Sequence, residues 1–258
     1  MIDQAAIREG LSRDEFFLEY LPTISLTDGR CVGAETLIRW RRPDGVVSPN
    51  EFIPIAENTP LSGLLTYWVL DTVAAELGDW LRANPEVRVA INTPPEILGR
   101  GGMAYAANKS GLAEQASQIV LEVTERGLPD LLGVEAINQA GSMGTRVALD
   151  DVTFVGAANL AVLARCNFSA IKLDKSLIDQ IGPECPTPGW LETVKGLLES
   201  SPLQVIAEGV ETEYQFAILC AAKVQAVQGF YFSRPLPVAE FLAFHRDYRI
   251  PGRSPRGI

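Results

Sequence analysis

Residues 119–151, IVLEVTERGLPDLLGVEAINQAGSMGTRVALDD, read as strand, helix, strand. IVLEVTE (119–125) and RVALDD (146–151) are short apolar runs rich in β-branched residues, the composition of buried strands. A helix is expected between them, over about 130–143. Both strands finish on carboxylates: Glu122 and Glu125 in the first, Asp150 and Asp151 in the second. The repeat length is that of one βα unit, roughly 30 residues.

The same rhythm continues in both directions. VRVAIN (87–92) ends on Asn92, AIKLD (170–174) carries Lys172, and QVIAEG (204–209) carries Glu208. AVQGFYF (226–232) reads as the last of eight strands. Upstream, FFLEYL (16–21) and CVGAETLIRW (31–40) flank Asp28-Gly29, and Glu35 sits in the second. That dipeptide between extended runs is a hairpin signal, so these two strands are expected to be antiparallel. RRPDGVVSPN (41–50) reads as a loop, and EFIPIAEN (51–58) as a short helix entry. The clearest long helix is 64–84, with others expected at 94–99, 157–166, 175–181, 190–200 and 211–222. Strands that are apolar throughout and alternate with helices argue for an α/β parallel barrel. The Gly/Pro-rich stretch 182–189 lies inside this rhythm, so it divides nothing. We expect a lead-in over 1–14, one barrel domain over 15–245 and a flexible tail over 246–258.

Composition removes several alternatives. The chain has 258 residues, the size of one (β/α)8 domain, and 47% are hydrophobic, enough for a sizeable core. Its net charge of −10 offers no basic face for long nucleic acid. The four cysteines are far apart, without a C-x-x-C pair, which argues against a zinc knuckle or redox motif. The start of the chain is charged, and no uncharged apolar run reaches the ~20 residues that span a bilayer. The expectation is a cytoplasmic chain with no direct membrane insertion, either by itself or as the cytoplasmic portion of a larger sensor. His245 is the sole histidine and falls near the end. That excludes a Ser-His-Asp triad and multi-histidine metal sites, and places His245 on the surface of a terminal helix.

Oxygen ligands delivered from consecutive parallel strands converge at one rim of a barrel, where barrel enzymes do their chemistry. The pattern suggests a divalent-cation site and an activity on phosphates. Such a crowd of carboxylates repels itself when empty, which raises some pKa values. Cations neutralise it and supply a nucleophile at neutral pH without histidine. Mg2+ or Mn2+ suits an all-oxygen set better than Zn2+. Each residue alone has a plainer reading. A lone Glu at a strand end is usually a solvated rim residue. An Asp-Asp pair is often a helix N-cap, and a single Lys is commonly on the surface or ion-paired. Trp40, Trp68, Phe52 and Phe230 are expected to pack, not to stack on bases. Joint appearance in register is what points to a site.

The segments together resemble the EAL domain, a bacterial family that opens cyclic di-GMP to linear pGpG. The name-giving motif stands as Glu35-Thr36-Leu37 within GAETLIRW, followed in order by SPNEFIPIAEN, LEVTE, LDD, IKLD, IAEGVET and VQGFYFSRPLP. The resemblance implies a modified (β/α)8 TIM-type barrel with an antiparallel first strand, and a site for two ions of Mg2+ or Mn2+. By motif, Glu35, Asn92, Glu122 and Asp150 would hold one ion. Asp150, Asp151 and Glu208 would hold the other. Lys172 would orient or deprotonate the attacking water, Gln228 would support the bound solvent, and Glu125 would brace a loop. Leu37, Arg39, Asp174 and Glu211 would meet the substrate. Relatives commonly dimerise, which implies a homodimer.

Three positions depart from the family pattern. The usual D-D-F-G-T-G becomes Asp150-Asp151-Val152-Thr153-Phe154-Val155, so the glycines are gone. Tyr20-Leu21-Pro22 stands for Y-Q-P, losing a polar contact, and Thr36 replaces the motif alanine. Two functions therefore remain open: hydrolysis of cyclic di-GMP, or a degenerate module that binds the nucleotide or a partner protein without cleavage.

Overall fold

The computed structural model describes residues 2–94, 97–98, 102–124, 131–142, 144–154 and 165–250. The elements run α1 (Gln4–Ser12), β1 (Phe16–Ser25), β2 (Cys31–Arg42), β3 (Gly45–Val47), α2 (Pro49–Ala56), α3 (Pro60–Ala83) and β4 (Arg88–Asn92). Then come α4 (Gly102–Ser110), a 3-10 helix (Leu112–Gln118), β5 (Ile119–Thr124), α5 (Leu131–Ser142), β6 (Arg146–Val152), β7 (Ala170–Leu173) and α6 (Lys175–Ile178). The chain continues through α7 (Trp190–Ser200), β8 (Gln204–Ala207), α8 (Glu213–Ala221), β9 (Ala226–Val227) and α9 (Val238–Asp247).

Eight strands close into a ring in the order β1-β9-β8-β7-β6-β5-β4-β2, sealed by pairing of β1 with β2. β2 and β4 through β9 are parallel, whereas β1 runs against both its neighbours. The β1–β2 hairpin explains this inversion. Ser25 Oγ accepts from Thr27 N at 3.2 Å, and Gly29 takes φ 71°, so the chain reverses at once instead of crossing over through a helix. β1 alternates buried and half-buried residues along its length, unlike the fully buried β7.

Two apolar clusters support the ring. The larger joins the strands to the surrounding helices. The smaller, built from Ile7, Phe16, Trp40, Phe52, Ala56, Leu61 and Leu65, holds α1, α2 and the start of α3 against the β1–β2 hairpin. Trp40 stacks on Phe16 with centroids 5.1 Å apart and meets Phe52 edge-on at 5.7 Å, while its Nε1 donates to Glu15 at 2.9 Å. A Cβ at Gly10 would lie 2.7 Å from Trp40 Nε1, so α1 reaches the indole only because that residue is glycine.

Several expectations change. The lead-in 1–14 contains a packed helix, with Ile7 fully buried. The loop 41–50 forms β3, paired with β2. The long helix begins at Pro60, because Thr59 caps it by accepting from Leu61 N at 3.2 Å. α4 and the 3-10 helix fall between the elements expected from the sequence. The strand read over 226–232 stops at Val227. There Gly229 takes φ 153°, and a Cβ on it would lie 2.1 Å from Val210 O, so the chain turns against the segment after β8. Phe230, expected to pack, is half exposed under the Arg234 guanidinium. The boundary at 246 falls inside α9, and Ile250 beyond it is buried with its N donating to Gly29 O at 2.8 Å. Most of the tail, all but two residues of the helix expected at 157–166, and half of the helix expected at 94–99 lie outside the described residues. His245 lies on α9 with its ring edge-on to Trp80 at 4.9 Å, half-buried rather than free on the surface. None of the four cysteines forms a disulfide. Among the described residues no helix is long and apolar enough to cross a membrane.

Trp40→Ala is expected to destabilise the fold by about 3–5 kcal/mol in urea denaturation, because it empties the centre of the smaller cluster. Val46→Ala, at an exposed residue, should stay within about 0.5 kcal/mol of the parent.

Candidate active site

The parallel register decides which side chains meet. Asn92 on β4 pairs with Glu122 on β5, and Thr124 pairs with Asp150 on β6. Lys172 on β7 pairs with Ile206 on β8, and Glu208 follows immediately, its N donating to Leu173 O at 3.1 Å. Glu35 on β2 is level with Ala90, two residues before Asn92. Asn92, Glu122, Asp150, Lys172 and Glu208 lie toward the C-terminal ends of their strands, and Glu35 lies near the end of the stretch of β2 that pairs with β4.

At the centre stands the Lys172 ammonium, 1% exposed. Its Nζ lies 2.5 Å from Glu208 Oε1, 2.8 Å from Glu122 Oε1, 3.0 Å from Glu35 Oε2 and 3.4 Å from Asp150 Oδ1. Asn92 Nδ2 donates to the other oxygen of Glu35 at 3.0 Å. The backbone N of Asp151 donates to Asp150 Oδ1 at 2.9 Å. The four acidic groups, the amide and the lysine thus form one connected cluster built from six strands and their ends.

One positive charge faces four carboxyl groups with little water to screen them. Burial pushes Glu122 well above the usual carboxylate range, and the charges of Glu35, Asp150 and Glu208 add to the rise. Asp150 is raised by burial first and by Glu35 next. Glu208 is pushed up to about 8, again by burial before the charge of Asp150. Burial alone would lower Lys172, but the four carboxylates outweigh it and hold the ammonium protonated. The cluster is short of positive charge.

That deficit fits divalent cations. Glu122 Oε2 and Gln228 Oε1 are buried with no hydrogen-bond donor, and such orphaned acceptors are costly unless something positive meets them. Asp150, Asp151 and Glu208 each offer an oxygen within 4.8 Å of the others. The donor set holds only carboxylate and amide oxygens, the choice of a hard cation.

The remaining expected residues lie around this cluster with partners of their own. Gln228 Nε2 donates to Thr23 Oγ1 at 3.1 Å and approaches Leu21 O at 3.4 Å, which ties it to β1. Arg39 Nε is paired with Glu19 Oε2 at 2.7 Å. Leu37 is half-buried opposite Glu19 on β1. Asp174 caps α6 by accepting from Ser176 N at 2.9 Å. Glu211 meets Lys175 Nζ at 3.0 Å. Glu125 lies outside the described residues.

Sequence reasoning missed the residues that hold these groups in place. Thr36, read only as a small replacement for alanine, donates through Oγ1 to Ala90 O at 2.9 Å and ties β2 to β4. Thr23 and Glu19 fix Gln228 and Arg39 from the neighbouring strand. Strand alternation could have placed Thr23 and Glu19 on defined faces, but their partners depend on a hairpin register that no local signal sets.

Comparison with known proteins agrees with this geometry. The model of the EAL domain family matches residues 4–235. The chain is 33% identical over 257 residues to the cyclic di-GMP phosphodiesterase NbdA of Pseudomonas aeruginosa, covering 96% of this chain and 32% of that protein. It is 29% identical to the bifunctional diguanylate cyclase/cyclic di-GMP phosphodiesterase MucR of the same organism, covering 92% of this chain and 35% of the relative. The chain therefore spans about a third of the length of these curated relatives. The solved PaMucR phosphodiesterase in complex with c-di-GMP superposes with a TM-score of 0.82 at 28% identity, covering 92% of this chain and 98% of that one. With its inverted first strand, closed barrel and acidic mouth, this chain belongs to the EAL domain family.

Proposed function

We propose that this chain hydrolyses cyclic di-GMP to linear pGpG with the help of divalent cations. The convergence of Glu35, Glu122, Asp150 and Glu208 on one buried Nζ carries this reading, in a chain whose relatives are named as cyclic di-GMP phosphodiesterases. Glu35, Asn92, Glu122 and Asp150 would hold one ion of Mg2+ or Mn2+, and Asp150, Asp151 and Glu208 a second. When bound, such ions supply Lewis-acid polarisation of the phosphodiester and a more acidic water.

The chain's own residues do the rest. Lys172, kept protonated by its neighbours, serves as a donor that orients the attacking water rather than as its base. Gln228, anchored to β1, keeps a buried Oε1 without a donor, which would accept from solvent held at the ions. Arg39 binds a phosphate oxygen, and Glu19 fixes its guanidinium in advance. Leu37, Asp174 and Glu211 line the substrate's approach, and by motif Glu125 would brace a loop. The domain acts as a homodimer.

A second reading, capture of cyclic di-GMP without cleavage, draws on the segment after Asp151. Asp151 and Phe154 take φ 58° and 56° without being glycine, a costly conformation. A shift of about 1 Å in Asp151 could cost on the order of 100-fold in rate.

Incubation with cyclic di-GMP and Mn2+ or Mg2+ should yield pGpG, and Glu35→Ala should reduce turnover more than about 100-fold, beyond the ~10–100-fold typical of losing an outer partner. Nucleotide binding with no product at saturating metal would select the second reading instead. Metal alone should also raise the melting temperature, since an ion at about 100 times its Kd adds about 2.7 kcal/mol. Glu122→Gln should shrink that rise in scanning calorimetry with MgCl2 against EDTA.

A further inference from the structure

Lys172 stands where a cation belongs. Its Nζ touches oxygens of Glu35, Glu122, Asp150 and Glu208, four of the groups assigned above to the ions. An ion drawn in by the same oxygens and the present ammonium cannot share that space, because they compete for the same lone pairs and repel each other. The lysine also fits the set imperfectly. An ammonium has three protons to give, it faces four acidic groups, and Glu122 Oε2 is left without a donor. Its flexible four-carbon stem lets the charge move while the backbone stays in β7.

We propose that Lys172 is an internal counterion that fills the ligand set of the metal-free protein and is displaced when divalent ions load. This rests on reading the cluster as a metal centre. Three consequences follow from the geometry. The barrel can fold before metal arrives, because the carboxylates already have a positive partner. Metal affinity is set by competition with the lysine and is weaker than the ligand count alone would give. Selectivity for charge is built in: a monovalent ion brings no more charge than the ammonium it displaces, whereas a divalent ion does. The lysine then becomes free to act as a donor to solvent only after the ions are in place, which couples metal loading to formation of the working site.

Mn2+ titration followed by electron paramagnetic resonance, on the parent and on Lys172→Met, tests this. Methionine keeps most of the stem volume and removes the charge. The variant should bind Mn2+ at least about tenfold more tightly, should melt lower than the parent in EDTA, and should gain more from metal. A folded variant whose Mn2+ affinity equals or falls below that of a metal-binding parent overturns the proposal and leaves the metal-centre reading standing. No binding by either protein overturns both. Binding by the variant alone supports the counterion and sinks the catalytic reading. Should Lys172→Met fail to fold in EDTA, nitrogen-15 resonances of the lysine ammonium groups in the parent decide the matter. A slowly exchanging signal in EDTA should shift or vanish on Mg2+ saturation, and an unchanged signal would overturn the proposal.

Discussion

A single buried ammonium surrounded by four carboxyl groups sets the terms for the rest of this barrel. Taking charges out of water costs several kcal/mol per ion, and mutual attraction offsets that only where geometry is good and every lone pair is met. Here the lysine has close partners, but the carboxylates outnumber it and Glu122 Oε2 has no donor. Lys172 is within 3.4 Å of all four, yet burial and mutual repulsion raise Glu122, Asp150 and Glu208. Such a cluster is a net cost to folding, and the strands that carry it have to be secured by other means.

The closed ring and its two clusters supply that support. β1 seals the barrel by pairing with β2 along nearly its whole length and with β9 over two residues. The same strand holds Gln228 and Arg39 through Thr23 and Glu19. Trp40 lies five residues after Glu35 on β2, locked between Phe16 and Phe52, so the strand that carries the motif glutamate is anchored by the smaller cluster. Rigid staves let like charges be held close, because the backbone cannot relax to separate them.

Much of the site could be read locally. Glu122, Asp150, Lys172 and Glu208 each sit at the same point of a βα unit, and strand periodicity alone sends them to a common rim. The hairpin was legible in Asp28-Gly29, and the parallel strands in their apolar runs. The misreadings share a cause. The strand expected from Ala226 ends early: its aromatic residues suit a strand, but Gly229 forces a turn against Val210 that only the folded chain reveals. The helix within the lead-in has no local signal, because α1 gains its burial from Trp40, thirty residues away in sequence from Gly10. Asp174 and Glu211, expected by motif to meet the substrate, also have partners within the fold that no motif announces: Asp174 caps α6 and Glu211 pairs with Lys175.

The sequence by itself determined the class of barrel, the inverted first strand and the identity of the acidic residues, because these follow from strand composition, turn chemistry and spacing. Only the tertiary structure decided that Lys172 points into the carboxylates rather than to solvent, that Glu19 claims Arg39, and that Glu122 keeps an oxygen without a donor. Those outcomes depend on register across strands and on distances of a few tenths of an ångström, and no local propensity encodes either.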